Sequence, residues 1–496
     1  MAEGYLAFDF GAESGRAILG NITEDNSLSI TELSRFPNLM VVQNSHLHWN
    51  TRRMIEELYR SLRLCREKYG DPMSIGVDTW GVDFALLKGS KLTCMPYAYR
   101  DKRTQGCVEA FLAKMPLERL YSLTGIQVLP FNSLFQLYAM VSEHDPALYS
   151  ASDILLMADF FNYVLTGVKV SEFTLATTTQ LFNPRTCTWD SEIIEVIGVN
   201  KSLFQSIKQP GEKIGSVNEE TRSKTGVSRI PVVAVACHDT GSAIAAVPSK
   251  SDDIAYISSG TWSLMGVESE VPIINALTMK YNFTNEGGVS NKYRVLKNIT
   301  GLWLLQECRK AWAQEHEFSY DELTKLGEES ESLNSIIDPD SPCFSNPVSM
   351  PEAIASYCSE THQKIPHTIG EYVRVIVDSL SLAYRYTLSQ LEEITGKHIN
   401  EVHIIGGGSR NGLLCKVTSD ATGCIVHAGP SEATCIGNIL VQAMAEGRIR
   451  DIKNLREVVM NSFNIKTYEP SDSSDWDAQF NKFLDLKKKK SGVKNE

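Results

Sequence analysis

The sequence lacks a long hydrophobic run and a basic, apolar start, and both absences argue against a membrane-bound or exported protein. A spanning helix needs about 20 apolar residues in succession, and no stretch of the 496 residues comes near that length. The first ten residues, MAEGYLAFDF, lack the positive charge and the apolar segment of a signal peptide. We therefore expect a cytosolic protein without a membrane partner.

Positive charge is also scarce. Lys and Arg number 48 against 60 Asp and Glu, which gives a net charge of −12. Non-specific binding to nucleic acid needs a basic surface that releases counterions. The one basic cluster, Lys487 to Lys490, is interpreted as the solvated, frayed end of the last helix. The charge balance therefore predicts no nucleic-acid partner.

Paired cysteines and two common nucleotide-binding loops are missing as well. The eleven cysteines are odd in number and show neither a CxxC pair nor a Cys/His ligand spacing, which indicates buried thiols in a reducing compartment rather than disulfides or zinc. No G-x-x-x-x-G-K-[ST] loop occurs, and the glycines at 406–408 fail the G-x-G-x-x-G pattern because Asn411 stands in the last place. P-loop NTPases and Rossmann dehydrogenases are therefore disfavoured.

What the chain does have is the length and composition of two large domains. Its hydrophobic content of 43% and charged content of 22% are those of a globular protein, and 496 residues exceed what one core supports. We predict an N-terminal domain over 1–248, a C-terminal domain over 249–468, and a C-terminal helix with a basic tail over 469–496. The stretch from Pro231 to Gly266 contains the junction between the two domains.

Two similar hairpins open the two halves. Tyr5 to Phe10 meets a small-residue turn over Gly11 to Gly15 and returns as a second strand, and Ala255 to Val267 repeats this pattern around Ser258-Ser259-Gly260-Thr261. Turns of this kind can expose backbone N–H groups to phosphates. A glycine turn is needed in any β-hairpin, so either hairpin alone has a purely structural explanation. Together they favour a nucleotide held between duplicated lobes.

Candidate substrate groups follow the predicted strand Met73 to Asp78. Trp80, Gly81 and Asp83 stand at its carboxyl end, the edge at which open α/β sheets bind ligands. The alternative is a strand corner with Trp80 in the core. Residues 134–230 carry no chemistry that spacing identifies.

The second half offers a few further candidates. Asn298 precedes a predicted helix that carries Gln306, and a strand ending near Ile405 meets three glycines against which a flat ring such as adenine could lie. We predict a strong amphipathic helix over Ile369 to Thr395. Residues 330–370, rich in Ser, Pro, Asn and Asp, are interpreted as a long irregular insertion.

These motifs together resemble the FGGY family of carbohydrate kinases. The resemblance rests on ten segments that occur in family order: DFGAESGR at 9–16, GVDTWGVDF at 76–84, PYAYRD at 96–101, LPFNSLFQL at 129–137, ATTTQL at 176–181, CHDTGSA at 237–243, SSGTWSLMG at 258–266, NEGG at 285–288, YRVLKNITGLWLLQE at 293–307 and IIGGGSRN at 404–411. It implies a two-domain α/β fold of the actin/hexokinase-like (ribonuclease H-like) ATPase type, with the active site in the cleft between the domains.

The resemblance also implies an activity and a set of site residues. The activity is ATP-dependent, Mg²⁺-dependent phosphorylation of the ketose L-rhamnulose at its 1-hydroxyl, carried out by a monomer or homodimer. Asp239 is implied to be the catalytic base and Asp9 to hold Mg²⁺ through water. By position, phosphates would be bound by Ala12, Glu13, Ser14, Gly15, Arg16 and Thr261, the nucleotide by Gln306 and Gly408, and the sugar by Gly81, His238, Asp239, Thr240 and Asn298.

The chemistry of phosphoryl transfer agrees with these roles. Its loose transition state requires alignment and charge neutralisation, so a carboxylate of ordinary basicity suffices as base. Mg²⁺ takes carboxylates, waters and phosphates rather than a Cys/His cage. Glu13 adds an unusual negative charge near the phosphates; it either turns away or takes part through Mg²⁺. Two alternatives stay open: a kinase for another ketose such as L-fuculose or D-xylulose, and a non-catalytic actin-like nucleotide-binding protein.

Overall fold

The computed structural model describes residues 4–251, 253–471 and 474–490. The predicted basic tail after residue 490 and the first three residues of the chain lie outside this range. The strands are β1 (Gly4–Phe10), β2 (Ser14–Ile22), β3 (Leu28–Pro37), β4 (Met40–Gln43), β5 (His46–Trp49), β6 (Ser74–Thr79), β7 (Phe84–Lys88), β8 (Lys91–Leu92), β9 (Asp153–Leu156), β10 (Ser171–Glu172), β11 (Phe182–Asn183), β12 (Thr188–Trp189), β13 (Ile207–Lys208), β14 (Lys213–Ser216), β15 (Pro231–Val233), β16 (Ala255–Ser259), β17 (Trp262–Ser269), β18 (Thr284–Gly287), β19 (Tyr293–Thr300), β20 (Glu401–Ile405), β21 (Ile425–Ala428) and β22 (Lys466–Tyr468).

Helices alternate with these strands along the chain. They are α1 (Thr51–Tyr69), α2 (Cys107–Leu112), α3 (Leu117–Thr124), α4 (Ser133–Ser142), α5 (Pro146–Tyr149), α6 (Met157–Thr166), α7 (Phe173–Thr178), α8 (Ser191–Ile197), α9 (Glu219–Thr225), α10 (Asp239–Ala245), α11 (Ala276–Lys280), α12 (Trp303–Trp312), α13 (Tyr320–Glu328), α14 (Met350–Glu360), α15 (Ile369–Thr395), α16 (Gly412–Thr422), α17 (Ala433–Ala445), α18 (Ile452–Ser462) and α19 (Ser474–Lys490). Short 3₁₀ turns lie at Lys102–Thr104, Lys201–Leu203, Pro342–Phe344 and Gly407–Arg410.

The chain forms two compact units that are not continuous in sequence. The first comprises 1–246, 268–295 and 433–462, and the second comprises 247–267, 296–432 and 463–496. The predicted domain boundaries at 248 and 468 divide the chain by sequence position. Helices α17 and α18 belong to the first unit, although they come after most of the second unit along the sequence.

The first unit is built on a six-stranded sheet with the order β14-β15-β6-β1-β2-β3. Strand β1 pairs antiparallel with β2 and parallel with β6, and all seven of its residues are buried. Helix α1 shows the predicted 3.6-residue periodicity, with Met54, Leu58, Leu62 and Cys65 buried. The hairpin predicted for the amino terminus is confirmed.

Helix α17 packs closely on this sheet through polar as well as apolar side chains. The amide of Gln442 donates to the carbonyl of Leu6 at 3.1 Å and accepts from the hydroxyl of Ser74 at 2.7 Å. At Gly437 a β-carbon would lie 1.8 Å from the carbonyl oxygen of Ser242 on α10, so only glycine permits this helix crossing. The fit places the start of α17 beside the carboxyl ends of β1 and β6.

The second unit repeats the local topology of the first. Strand β16 pairs antiparallel with β17 and parallel with β20, as β1 does with β2 and β6. The whole sheet has the order β18-β19-β17-β16-β20-β21-β22, and the division between the units falls within β17 and β19. Helix α15 begins at Ile369 and ends at Thr395. Both the second hairpin and this helix are confirmed.

Two interpretations of the sequence are wrong in part. The segment 330–370 contains helix α14, which begins at Met350, is capped by Ser349 and has Pro351 in its first turn. At the last helix, Lys487 is not solvated: its ammonium lies 2.8 Å from Asp338 Oδ1. The side chains of Lys489 and Lys490 lie outside the described residues.

Two further predictions concern the whole chain. The eleven cysteines are all free thiols, and most of them are buried. Across 4–251, 253–471 and 474–490 no helix has both the length and the apolar character that crossing a membrane would require.

Candidate active site

The turn of the first hairpin is held from the side by Asn38. Its side-chain amide donates to the carbonyl of Gly11 at 2.9 Å, and its backbone N–H donates to the carbonyl of Glu13 at 2.9 Å. The glycine N–H that we expected to be free is used, since Gly11 donates to Ser14. Among the described residues the N–H groups of Ala12 and Glu13 have no protein acceptor, so they are the ones available to a phosphate.

The carboxylate of Glu13 turns toward a cation. Its Oε1 lies 3.7 Å from a guanidinium nitrogen of Arg100, and both side chains are partly exposed. The pair offsets the negative charge that Glu13 brings to the turn, which is the first of the two options the sequence left open. Ser14 is exposed, and Gly15 is buried beside the ring of Phe36.

Arg16, predicted to bind phosphate, is bonded to Asp9. Its Nε and one terminal nitrogen donate to Asp9 Oδ2 at 2.8 and 2.5 Å. The ion pair follows from the register, because Asp9 and Arg16 are paired positions of β1 and β2. Asp9 Oδ1 has no protein partner among the described residues, so one face of this carboxylate stays available.

Asp78 stands beside Asp9 on the neighbouring parallel strand. The two are register partners of β1 and β6, and Asp78 is fully buried with an amide hydrogen bond from Asn438 to its Oδ2. Burial raises the pKa of Asp78 well above its ordinary value, and the charge of Asp9 raises it further. Oδ1 of Asp78 is buried and receives no hydrogen bond from the described residues. Two adjacent carboxylates with unshared oxygens suit a hard divalent cation such as Mg²⁺.

Asp239 opens helix α10, and the cap position before it is His238, whose side chain makes no capping bond. Oδ1 of Asp239 accepts from the N–H of Thr240 at 2.6 Å and from its hydroxyl at 3.1 Å. Oδ2 has no protein partner among the described residues. The pKa of Asp239 is raised, chiefly because the carboxylate has lost hydration; the positive field of His238 acts against this and the charge of Asp9 adds to it. A carboxylate with one oxygen anchored and one open can act as a base.

Two buried charged side chains, Glu286 and Arg294, lie next to His238. Its Nδ1 lies 3.1 Å from Glu286 Oε2, and the same oxygen lies 3.1 Å from the guanidinium of Arg294, which is fully buried. Its Nε2 lies 3.4 Å from Asp239 Oδ1. Burial works against ionisation of Glu286, but the bond from His238 and the charge of Arg294 outweigh it, so the pKa of Glu286 is lowered. In the sequence, only the segments NEGG and YRVL pointed to these contacts.

Asp83 is a structural centre rather than an open substrate ligand. It is buried, and its Oδ2 accepts from the indole N–H groups of Trp49 at 2.6 Å and Trp80 at 2.9 Å. The amide of Gln136 donates to its Oδ1 at 2.8 Å. Burial raises the pKa of Asp83 to about 6, although these bonds act in the opposite direction. Trp80 is 5% exposed, which supports the corner interpretation for this residue.

Gly81 lies against the side chain of Thr178 in helix α7. A β-carbon on Gly81 would meet the Thr178 side chain at 3.1 Å, and the Thr178 hydroxyl accepts from the N–H of Val82. The backbone at 81–82 is therefore positioned by helix α7, and Gly81 itself is half-buried.

Sequence reasoning missed two residues that position the loop before Asp239. The carboxylate of Glu172 accepts from the N–H of Cys237 at 3.2 Å, and the hydroxyl of Thr174 accepts from the N–H of His238 at 3.0 Å. Glu172 is fully buried, and burial raises its pKa to about 7 against the effect of four hydrogen bonds. The position of Glu172 just before an apolar helix was the only signal that could have pointed to it.

The turn of the second hairpin is held by backbone groups of its own unit. Leu302 donates to the carbonyl of Gly260 at 3.0 Å, and Trp303 donates to that of Thr261 at 3.1 Å. Gly260 donates to Trp262, whereas the N–H of Thr261 has no protein acceptor among the described residues. Thr261 is thus the counterpart of Ala12 and Glu13 in the first unit.

The second unit holds the two predicted nucleotide residues, Gly408 and Gln306, and one predicted sugar residue, Asn298. Gly408 is buried, with the hydroxyl of Ser259 where its β-carbon would be, and Gly407 is the exposed glycine of that turn. Gln306 lies in the first turns of α12, and its carbonyl oxygen is buried without a hydrogen-bond partner among the described residues. Asn298 lies within β19 rather than next to a helix start.

The predicted site residues therefore fall into two groups. The first unit brings together Asp9, the turn 12–16, Gly81 and the loop 238–240, and the second unit holds Thr261, Asn298, Gln306 and Gly408. Each group is built from strand ends and the turns that follow them.

Comparison with known proteins agrees with this arrangement. Models of the N-terminal and C-terminal domains of the FGGY family of carbohydrate kinases match residues 4–246 and 255–446. A rhamnulokinase of Bacteroides thetaiotaomicron is 46% identical over 481 residues, covering 97% of this chain and 98% of that one. A rhamnulokinase of Halalkalibacterium halodurans is 41% identical over 94% of this chain and 99% of its own length.

Solved structures share the fold at low identity. A xylulose kinase of Lactobacillus acidophilus has a TM-score of 0.82 at 13% identity and covers 99% of both chains. Plasmodium falciparum glycerol kinase with ADP has a TM-score of 0.81 at 14% identity, over 100% of this chain and 99% of its own. The predicted two-domain kinase fold is confirmed, and the chain belongs to the FGGY family of carbohydrate kinases.

Proposed function

We propose that this protein transfers the γ-phosphoryl group of ATP to the 1-hydroxyl of L-rhamnulose, giving L-rhamnulose 1-phosphate and ADP. The observation that carries the proposal is the match along nearly the whole chain to relatives named rhamnulokinase, 46% identical in one case. The xylulose kinase of Lactobacillus acidophilus shares the fold at 13% identity. The reaction would serve L-rhamnose breakdown in the cytosol, in a monomer or homodimer with no nucleic-acid or membrane partner.

Asp239 is the proposed base. Its Oδ2 accepts the proton of the sugar's 1-hydroxyl while that oxygen bonds to the γ-phosphorus and the bond to ADP breaks. The Thr240 hydroxyl and N–H hold Oδ1, so the carboxylate keeps one orientation through the reaction. A raised pKa strengthens its affinity for the proton.

Sugar hydroxyls are the proposed partners of Gly81, His238, Thr240 and Asn298. Nδ1 of His238 lies 3.1 Å from Glu286 Oε2 and 3.2 Å from a guanidinium nitrogen of Arg294, and its Nε2 lies on the side of Asp239. An imidazole held in this way can discriminate among hydroxyl positions, because a misplaced hydroxyl would leave its nitrogen without a bond.

Phosphate binding is assigned to backbone N–H groups more than to side chains. Ala12 and Glu13 in the first unit and Thr261 in the second have N–H groups without protein acceptors. Such groups bind anions without bringing a side chain into contact with the phosphorus. Arg16 acts through its ion pair with Asp9, and Gln306 and Gly408 are assigned to the nucleoside.

Mg²⁺ fits the carboxylates of the first unit. Asp9 and Asp78 would hold it, with Asp9 Oδ1 as the accessible ligand and Asp78 Oδ1 buried without a hydrogen bond from the described residues. When bound, the ion supplies neutralisation of the phosphate charge. Arg16 and Asn438 keep the two carboxylates oriented.

The test is a sugar panel with the purified protein. ADP release would be measured with ATP, Mg²⁺ and L-rhamnulose, L-fuculose, D-xylulose or glycerol, and the product would be identified by phosphorus and proton NMR. We expect kcat/KM for L-rhamnulose to exceed that for every other acceptor by at least about tenfold, roughly 1.4 kcal/mol, and the phosphate to be on carbon 1. A higher value for another ketose would replace the substrate, and no sugar-dependent ADP release would reject a kinase.

A further inference from the structure

Three potential metal ligands meet on one face of the sheet of the second unit. Glu401 and His403 are two residues apart on β20, so their side chains point to the same face, and His427 on β21 is the register partner of His403. Glu401 and His403 precede Gly406 by five and three residues, about 16 and 10 Å along an extended strand. The group is therefore separate from the turn at 406–408 that we assign to the nucleotide.

The ligand atoms of these three residues converge. The carboxylate of Glu401 lies 3.7 Å from His427 Nε2 and 4.0 Å from His403 Nε2, and the three ligand atoms all lie within 4.8 Å of one another. Nitrogen and oxygen ligands about 2.0–2.1 Å from one tetrahedral ion are separated by roughly 3.3 Å. A reduction of these separations by up to about 1.5 Å, which rotation of the partly exposed Glu401 and His427 side chains can supply, would complete the geometry.

A neighbouring hydroxyl orients one ligand. His427 Nδ1 lies 3.2 Å from Thr467 Oγ1, on the adjacent strand β22. The ring of His427 also lies against that of His403, with ring centres 4.8 Å apart. Anchoring Nδ1 directs Nε2 toward Glu401, and metal-binding histidines are typically held through their second nitrogen in this way.

A simple ion pair explains this group less well than a cation does. A proton between Glu401 and one imidazole would use only one of the two contacts that this carboxylate makes, at 3.7 Å to His427 and at 4.0 Å to His403. A metal ion accepts all three ligands at once. Two imidazoles and one carboxylate favour Zn²⁺ and similar transition metals, whereas Mg²⁺ prefers oxygen ligands alone.

We propose that Glu401, His403 and His427 bind one Zn²⁺-type transition-metal ion, with water in the fourth position, and that the ion links β20 to β21. The site is distinct from the proposed Mg²⁺ site at Asp9 and Asp78. Cys/His spacing in the sequence does not reveal these ligands, because they lie on two adjacent parallel strands.

The test is Zn²⁺ binding to the full-length protein after dialysis against a chelator. Titration against a chromophoric chelator should show one strong site in the parent. His427→Gln should weaken it by more than about 100-fold, and Thr467→Val, which removes the supporting hydroxyl, by about 10–100-fold. Both changed residues are accessible, and circular dichroism checks that each variant is folded. Excess Mg²⁺ should not compete.

The matched control is His398→Gln. His398 is exposed, and among the residues that the structure describes its ion pair is with the Glu392 carboxylate, so its loss should leave the strong site unchanged. Exposed thiols such as Cys187 and Cys343 also take Zn²⁺, and the site is therefore defined by the difference between His427→Gln and the parent. Equal affinity in the parent and His427→Gln would overturn the proposal, as would equal weakening by His398→Gln. Replacing Zn²⁺ by Co²⁺ should give the strong visible absorption of a four-coordinate ion in the parent and in His398→Gln, but not in His427→Gln.

Discussion

The ring of Phe36 occupies the space that a β-carbon on Gly15 would need. The closest ring atom lies 2.3 Å from that position, so Gly15 is required by packing between β2 and β3. At Gly260, in the turn of the second hairpin, the nearest atom to a β-carbon is 3.8 Å away. Glycine therefore occupies the two positions for different structural reasons, although the sequence suggested that both allow the backbone to approach phosphate.

We expect Gly260→Val to affect nucleotide binding without loss of stability. Its side chain would enter open space beside the free N–H of Thr261, so ATP affinity should fall by at least about tenfold, roughly 1.4 kcal/mol. Calorimetric titration with ATP and with sugar measures this, and sugar affinity serves as the control. Gly15→Val, by contrast, should overpack the Phe36 contact and cost about 1–3 kcal/mol of stability. Equal loss of both affinities in folded Gly260→Val would contradict the assignment.

Asp239→Asn should abolish most activity and leave the fold intact. Asn keeps the shape and the bond from Thr240 but cannot accept the sugar's proton, so kcat should fall by about 10²–10⁴-fold, roughly 3–5 kcal/mol of barrier. The control is Asp190→Asn, since Asp190 caps helix α8 through the N–H of Ile193 and Asn also caps well. Turnover within about threefold of the parent would reject Asp239 as the base.

Glu286→Gln should disturb the sugar side of the site more than the nucleotide side. It leaves the fully buried Arg294 without its charge partner, which typically costs about 3–5 kcal/mol, and it releases His238 Nδ1. We expect a raised KM for the sugar with an unchanged KM for ATP, together with a lower Tm. Glu270→Gln, which breaks the exposed pair with Lys292 on the neighbouring segment, should change stability by less than about 0.5 kcal/mol. Unchanged sugar kinetics in a folded Glu286→Gln protein would argue against a role for His238 in sugar binding.

The buried carboxylate of Glu172 should make the protein less stable as the pH rises through the range in which Glu172 ionises. Its pKa is raised from 4.5 to about 7, so between these values the folded state holds a proton that the unfolded state has lost. Stability from this group is complete below about pH 4.5 and declines by up to about 1.4 kcal/mol per pH unit until about pH 7. Asp83, with a pKa raised to about 6, adds a smaller effect of the same sign.

Thermal unfolding between pH 5 and pH 8 tests this dependence. We expect Tm to fall with rising pH in the parent and the slope to be shallower in Glu172→Gln, which cannot ionise. Exposed Glu220, paired with Lys224, offers the control Glu220→Gln, and its slope should match that of the parent. A slope unaffected by Glu172→Gln would show that other groups are responsible.

Local sequence patterns were sufficient for the secondary structure that frames the site. Alternation and apolar runs identified β1, β16 and the long helix α15, because strand and helix periods depend only on neighbours in sequence. The turns at 11–15 and 258–261 were recognised for the same reason. Helix α14 was missed because Pro351, a residue that usually breaks helices, stands in its first turn, where proline is tolerated.

Pairings between distant side chains were decided only by the tertiary structure. Asn438 reaches Asp78 across 360 positions of the chain, Glu286 meets His238 across 48, and Lys487 meets Asp338 across 149. No spacing rule covers such separations, since they depend on which strands become neighbours and in which register. The sequence by itself determined the hairpins, the helices and the loop bearing Asp239. Packing decided that the ring of Phe36 takes the space beside Gly15 and that Arg16 binds Asp9 rather than remaining open to phosphate. It also decided that Glu401, His403 and His427 share one face of a sheet.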